Sequence, residues 1–222
     1  MSTSPPTTET DAALMKRQAH AVEAYLAEVV AQRKMPRNLR EATEHGVLGG
    51  GKRMRPILTL RSCAAVGGEP AQAMPAAAAI ELIHCFSLIH DDLPAMDNDE
   101  MRRGRPTVWK AYGDAMAILV GDLMSGLAFE VVATRLAPAL AGRISLELSL
   151  ATNDMIAGQV WDTLPDFAKG TPPTGDDPSS QDRRADPLLL PDGGDLRRSG
   201  RGPTRRPDAV RRGDRPDVPG RG

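Results

Sequence analysis

Four aspartates, Asp91, Asp92, Asp97 and Asp99, crowd the end of an apolar run that spans residues 76–90. If that run is a helix, its carboxylates repel one another and oppose the negative end of the helix dipole. A divalent cation reverses the sign of that cost. Hard oxygen donors favour Mg²⁺ or Ca²⁺ over zinc, and Mg²⁺ leaves coordination positions open for phosphate oxygens. On a regular helix Asp91 and Asp97 project about 240° apart. Pro94 lies between them, removes an amide donor and lets the chain bulge, so both carboxylates can meet one ion. A solvated acidic helix end would carry the same residues.

Two basic clusters accompany the acidic one. Arg102 and Arg103 follow it directly, and Lys52, Arg53 and Arg55 sit beside Gly49, Gly50 and Gly51. Guanidinium forks bind phosphate oxygens bidentately, Lys supplies a point charge, and glycine lets an anion approach the backbone. Each cluster alone reads most simply as a surface face. With the carboxylates and His84, two helical turns before Asp91, they suggest a site for a phosphorylated substrate with bridging metal. The glycine stretch is no P-loop, because the GxxxxGK[ST] spacing is missing and no strand precedes it.

The elements that must position these residues read as helices. Leu14, Val22, Leu26, Val29 and Val30 recur at helical spacing between Asp11 and Arg33, before Pro36. Further helices are predicted over Arg37–His45, Arg55–Val66, Ala76–His90 (with Pro75 in its first turn), Ala115–Arg135 and Arg143–Ile156. No stretch shows sustained strand alternation, so the expected class is all-α. No apolar run of ~18–20 residues stands out, and no membrane span is expected. The N-terminus lacks a signal-peptide layout, Cys63 and Cys85 make no disulfide framework and read as core packing, and a cytoplasmic location is expected. A formal net charge of −1 gives no bulk reason to expect nucleic acid as a partner.

Six segments together resemble the trans-polyprenyl diphosphate synthases, the bacterial farnesyl diphosphate synthases above all. They are GGKRMRP from Gly50, IHCFSLIHDD from Ile83, the DDxxxxD pattern ending at Asp97, RRGRPT from Arg102, GDLMSGLAFE from Gly121 and GQVWD from Gly158. The resemblance covers roughly residues 10–165. It implies an isoprenoid-synthase-type helical bundle around an apolar cavity, working as a homodimer on small-molecule diphosphates. Asp91, Asp92 and Asp97 would hold Mg²⁺ against an allylic diphosphate that Arg102 also binds. Lys52, Arg55, His84 and Arg103 would hold isopentenyl diphosphate, with Gln159 on the substrate side. Phe86 and Ser87 would meet the growing chain and limit its length, which points to a farnesyl product ahead of geranylgeranyl. Trp109 stands where many relatives have His.

The family also carries a second aspartate-rich motif, FQxxDDxLD, and a KT pair before it, and the sequence as written holds neither. Residues 171–222 instead hold nine Pro, eight Gly, eleven Arg and nine Asp, with no aromatic residue, Ile or Lys, a composition expected to stay disordered. Read one nucleotide later, codons allowed for Gln181–Leu188 yield KTGALIR. Those for Asp208–Gly222 yield MRYAAAIGLMFQVV. The expected division is therefore a partial synthase domain at 10–170, the N-terminal two-thirds of the bundle, followed by an out-of-frame tail at 171–222. A one-nucleotide frameshift between about Lys169 and Asp177 would impair activity, leaving a diphosphate- and Mg²⁺-binding fragment or partner subunit as the alternative.

Overall fold

A computed structural model describes residues 10–163. The described residues fold as helices α1 (Asp11–Gln32), α2 (Arg37–Val47), α3 (Met54–Ala65), α4 (Pro70–Asp91), α5 (Val108–Tyr112), α6 (Asp114–Arg135) and α7 (Pro138–Thr163). Between α4 and α5 a small antiparallel hairpin pairs β1 (Met101–Arg102) with β2 (Arg105–Pro106), Met101 opposite Pro106. The class is all-α, as the periodicity predicts.

The central pair is α4 on α6. Ala77, Ala78 and Ala79 on α4 and Ala117, Gly121 and Ala128 on α6 are buried, and small residues let two helix axes come close. The tightest point is Gly121: a Cβ there would overlap the His90 ring, whose Nε2 lies 3.1 Å from the Ile118 carbonyl. Around this pair α1 contributes the stripe Val22, Leu26, Val29 and Val30, while Leu60, Met124 and Leu148 come from α3, α6 and α7. Each fully buried aliphatic side chain is worth about 2 kcal/mol. Arg40 on α2 closes the C-terminal end of α1, donating to the carbonyls of Val30 (2.7 Å), Ala31 (3.2 Å) and Arg33 (2.7 Å).

Several expectations are corrected. Helix α4 begins at Pro70 in the N1 position after Glu69, so Pro75 is a buried residue inside it rather than its opening turn. Helix α7 starts at Pro138, where the Ala141 amide already reaches the Ala137 carbonyl (2.8 Å), and runs through Thr163. Strands of two residues are too short to show alternation, so the hairpin carried no signal. By length and composition α4 and α6 are apolar enough to cross a membrane, because Gly, Ser and single acidic residues interrupt the apolar runs without lowering the average much. In this fold both pack into the core. The expected disorder of residues 171–222 lies outside the described residues.

Candidate functional site

Helix α4 is the ruler of the site. His84 and Ser87 lie two turns and one turn before its end, Asp91 is its last residue, and the chain then folds over on itself. The Asp97 amide donates to the Asp91 carbonyl (2.8 Å), while the Leu93 carbonyl accepts from Met96 (2.9 Å) and Asn98 (3.1 Å). Asn98 turns the chain with φ 56°. This loop around Pro94 is the bulge the sequence calls for, and it brings Asp97 back beside Asp91.

Each carboxylate meets a different fate. Asp91 is half-buried, and its pKa is pushed up to about 6 by desolvation first and by the charge of Asp97 next. Asp97 is exposed. Asp92 is buried and bound by Arg102: Nε donates to Oδ1 at 2.8 Å and Oδ2 at 3.1 Å, and Nη2 to Oδ1 at 2.6 Å. Burial still raises the Asp92 carboxyl, with Arg102 pulling it down. Among the described residues no three His, Cys, Asp or Glu side chains form a ready-made chelating group, Asp92 being engaged by Arg102. Asp91 and Asp97 fit a hard divalent ion, being two oxygen donors whose mutual repulsion it would relieve.

The two basic clusters meet across a gap. Arg103 (φ 53°) and Gly104 (φ 75°) make the two-residue turn of the β1–β2 hairpin, both left-handed as a type I′ turn demands. From that tip the Arg103 guanidinium donates to the Gly50 carbonyl. It crosses directly over Gly51, where any Cβ would collide with it. The hairpin is held from behind by His45, whose Nδ1 accepts from Arg105 (3.0 Å), so its Nε2 carries the proton and donates to the Pro106 carbonyl (2.8 Å). The Asp99 carbonyl accepts from Thr107 Oγ1 (2.9 Å) and from the Trp109 indole (2.7 Å). A cleft of about 50 Å³ between hairpin and glycine loop is lined by Gly49, Cys85, Asp92, Arg102 and Arg103, among others.

His84 is half-buried, and its pKa falls to about 4, by desolvation first and then by Arg55, Arg103, Arg102 and Arg53. It is a neutral imidazole in a basic field. Lys52 is exposed before α3, and Arg55 is half-buried on the first turn of α3. Arg53 departs from the surface cluster in which the sequence groups it. Its side chain is wholly buried and paired with Glu81. Composition alone did not show which of three neighbouring cations turns inward. The Cys85 thiol is pushed up to about 12 by burial first and then Glu81, which leaves it a packing residue, and Cys63 is likewise buried and free.

Phe86 packs partly buried, edge-on to the His90 ring at 5.1 Å. Ser87 Oγ turns back to the His84 carbonyl (3.0 Å). Gln159 sits on α7, and its amide donates to Thr163 Oγ1 (3.3 Å).

Comparison with known proteins adds to this geometry. Residues 36–176 match the polyprenyl synthetase family. The chain is 44% identical over 154 residues to the putative geranylgeranyl pyrophosphate synthase 8, chloroplastic, of Arabidopsis thaliana, covering 67% of this chain and 43% of the relative. It is 42% identical over 154 residues to the farnesyl diphosphate synthase of Geobacillus stearothermophilus, covering 67% and 52%. The chain thus spans about half the length of the curated relatives it matches. Among solved structures, an FPP/GFPP synthase from Zymomonas mobilis superposes with a TM-score of 0.71 at 34% identity, over 82% of this chain and 68% of that one. The site lies wholly inside the matched region, and the chain belongs to the polyprenyl synthetase family.

Proposed function

We propose that this site binds two diphosphate esters and condenses isopentenyl diphosphate with dimethylallyl or geranyl diphosphate to give farnesyl diphosphate. The observation that carries the reading is the convergence at the end of α4. Asp97 is bonded back to Asp91 there and its charge raises the Asp91 carboxyl, Asp92 orients Arg102, and Arg103 spans to the glycine loop. Lys52, Arg55, His84 and Arg103 hold the diphosphate of isopentenyl diphosphate, with Gln159 contributing to substrate binding from α7. Neutral His84 donates a hydrogen bond there instead of adding charge. Arg102, held in place by Asp92, faces the allylic diphosphate. Ionising the allylic C–O bond leaves negative charge on the departing diphosphate, and preoriented cations stabilise that charge most where water is scarce. Magnesium, where bound by Asp91 and Asp97, neutralises the same leaving group. Ser87 and Phe86 lie four and five residues before Asp91, on the side where the product tail grows. A geranylgeranyl product is the neighbouring reading, supported by the name of the Arabidopsis relative.

Residues 10–170 form the synthase part in this reading, and residues 171–222 are out of frame. A second reading, a diphosphate-binding partner subunit without turnover, is favoured by the lack of a second aspartate-rich motif in the 222 residues. A condensation assay with labelled isopentenyl diphosphate, run beside a pyrophosphate titration in Mg²⁺ buffer, separates the two. Binding with little turnover is expected from the chain as written, with turnover returning once one nucleotide is removed near the seam. Turnover at family rates by the unaltered chain refutes the frameshift. Absence of both binding and turnover refutes the site.

A further inference from the structure

We infer that Arg53 is a positioning residue, whose buried ion pair with Glu81 fixes where Lys52 and Arg55 stand against α4. The inference rests on the proposed reading that those two side chains bind diphosphate. Arg53 caps the N-terminus of α3 in a left-handed conformation (φ 50°), which a non-glycine residue adopts only under compulsion. Its side chain is 0% exposed. Nη1 donates to Glu81 Oε1 (2.7 Å), and Nη2 to the Val47 carbonyl (2.7 Å) and Glu23 Oε1 (3.3 Å). Nε has no hydrogen-bond partner.

Stability alone does not explain this arrangement. A buried ion pair gains little over apolar residues of the same size, and here one donor is left unsatisfied in a strained backbone. What the pair does is geometric. One guanidinium ties the glycine loop to the end of α2 at Val47, to α1 at Glu23 and to α4 at Glu81. Glu81 lies one turn before His84 on the face of the bundle that leads to Asp91. The left-handed turn sends Arg53 inward, leaves Lys52 exposed and starts α3 so that Arg55 lies close enough to His84 to lower its pKa. At its other end the same loop is held by Arg103 on the Gly50 carbonyl. The loop is thus pinned on both sides, and the cations it carries are set in register along α4.

The test is a calorimetric titration of the full chain with inorganic pyrophosphate in Mg²⁺ buffer, with amide hydrogen exchange followed across residues 49–53. Lys52→Ala should weaken binding about tenfold, the loss of one charge-assisted contact. Arg53→Met should weaken it by a similar factor and speed exchange of the loop amides, and Arg53→Lys should recover most of both. Lys52→Ala combined with Arg53→Met should weaken binding little beyond either change alone, because the contact being positioned is already gone. Wild-type affinity in Arg53→Met overturns the inference, as does a double variant whose loss equals the product of the two single losses. If Arg53→Met does not fold, Glu81→Gln, which keeps the shape, is read by the same criteria. Absence of pyrophosphate binding by the wild-type chain, or wild-type affinity in Lys52→Ala, overturns the reading of the site itself and the inference with it.

Discussion

At the scale of single residues, environment assigns opposite tasks to side chains of the same type. Asp92 is buried against Arg102 while Asp97 is exposed. Arg102→Met strands a buried carboxylate and should lower unfolding free energy by about 2–3 kcal/mol, with Asp92→Asn in the same chain restoring part of it, read from urea midpoints. His84 has a folded pKa near 4 against an ordinary 6.5, so the unfolded chain takes its proton first. Its contribution is intact above pH 6.5 and is lost as pH falls toward 4. Relative to His84→Asn, the wild-type chain should therefore lose up to about 1.4 kcal/mol per pH unit through that window. Denaturation curves of both proteins at several pH values supply the difference. Phe86→Ala should lengthen the product of a frame-corrected chain by at least one isoprene unit, because removing a ring opens dry volume for the tail. An unchanged chromatographic profile would remove Phe86 as the stop.

At the scale of elements, two glycines on α6 should behave oppositely. Gly121 faces the His90 ring, and Gly121→Ala must displace that ring, breaking its contact with the Ile118 carbonyl, or part the helices, costing about 1–3 kcal/mol. Gly126 is exposed with open space where a Cβ would go, and Gly126→Ala should stabilise the helix by about 0.5–1 kcal/mol. Thermal melts of the two variants should move in opposite directions. The helices were legible in the sequence because a 3.6-residue period survives almost any choice of apolar residue. Boundaries were less so: Pro70 and Pro75 both suit a helix start, and only packing chooses between them. The loop closing Asp97 onto Asp91 could be anticipated from Pro94, since a missing amide has one consequence wherever it occurs. The inward turn of Arg53 could not, because it depends on Glu81, twenty-eight positions away. Nor could the pairing of Asp92 with Arg102, which a count of carboxylates conceals.

At the scale of the whole molecule, the apolar surface is unevenly covered. Ile118 and Leu119 on α6 and Leu146 and Leu150 on α7 are 46%, 56%, 58% and 52% exposed. Apolar side chains left exposed on two neighbouring helices are the kind that another polypeptide covers, and the family resemblance implies a second copy. The purified chain should sediment above its monomer mass. Leu146→Lys with Leu150→Lys should return it to monomer without loss of helicity by circular dichroism. A wild-type chain that sediments as a monomer at micromolar concentration would count against pairing through this face.

The indole of Trp109 hydrogen-bonds the Asp99 carbonyl at the base of the hairpin, with the Lys110 ammonium 5.5 Å from its ring. Only one other tryptophan, Trp161, exists in the sequence. Nature has in effect placed a fluorophore on the segment that must respond when a charged ligand arrives beside Arg102. In Trp161→Phe protein, ultraviolet emission comes from Trp109 alone. Its quantum yield should change on adding pyrophosphate and magnesium together, turning an ordinary fluorimeter into a direct readout of the hairpin, with no labelled substrate and no turnover required.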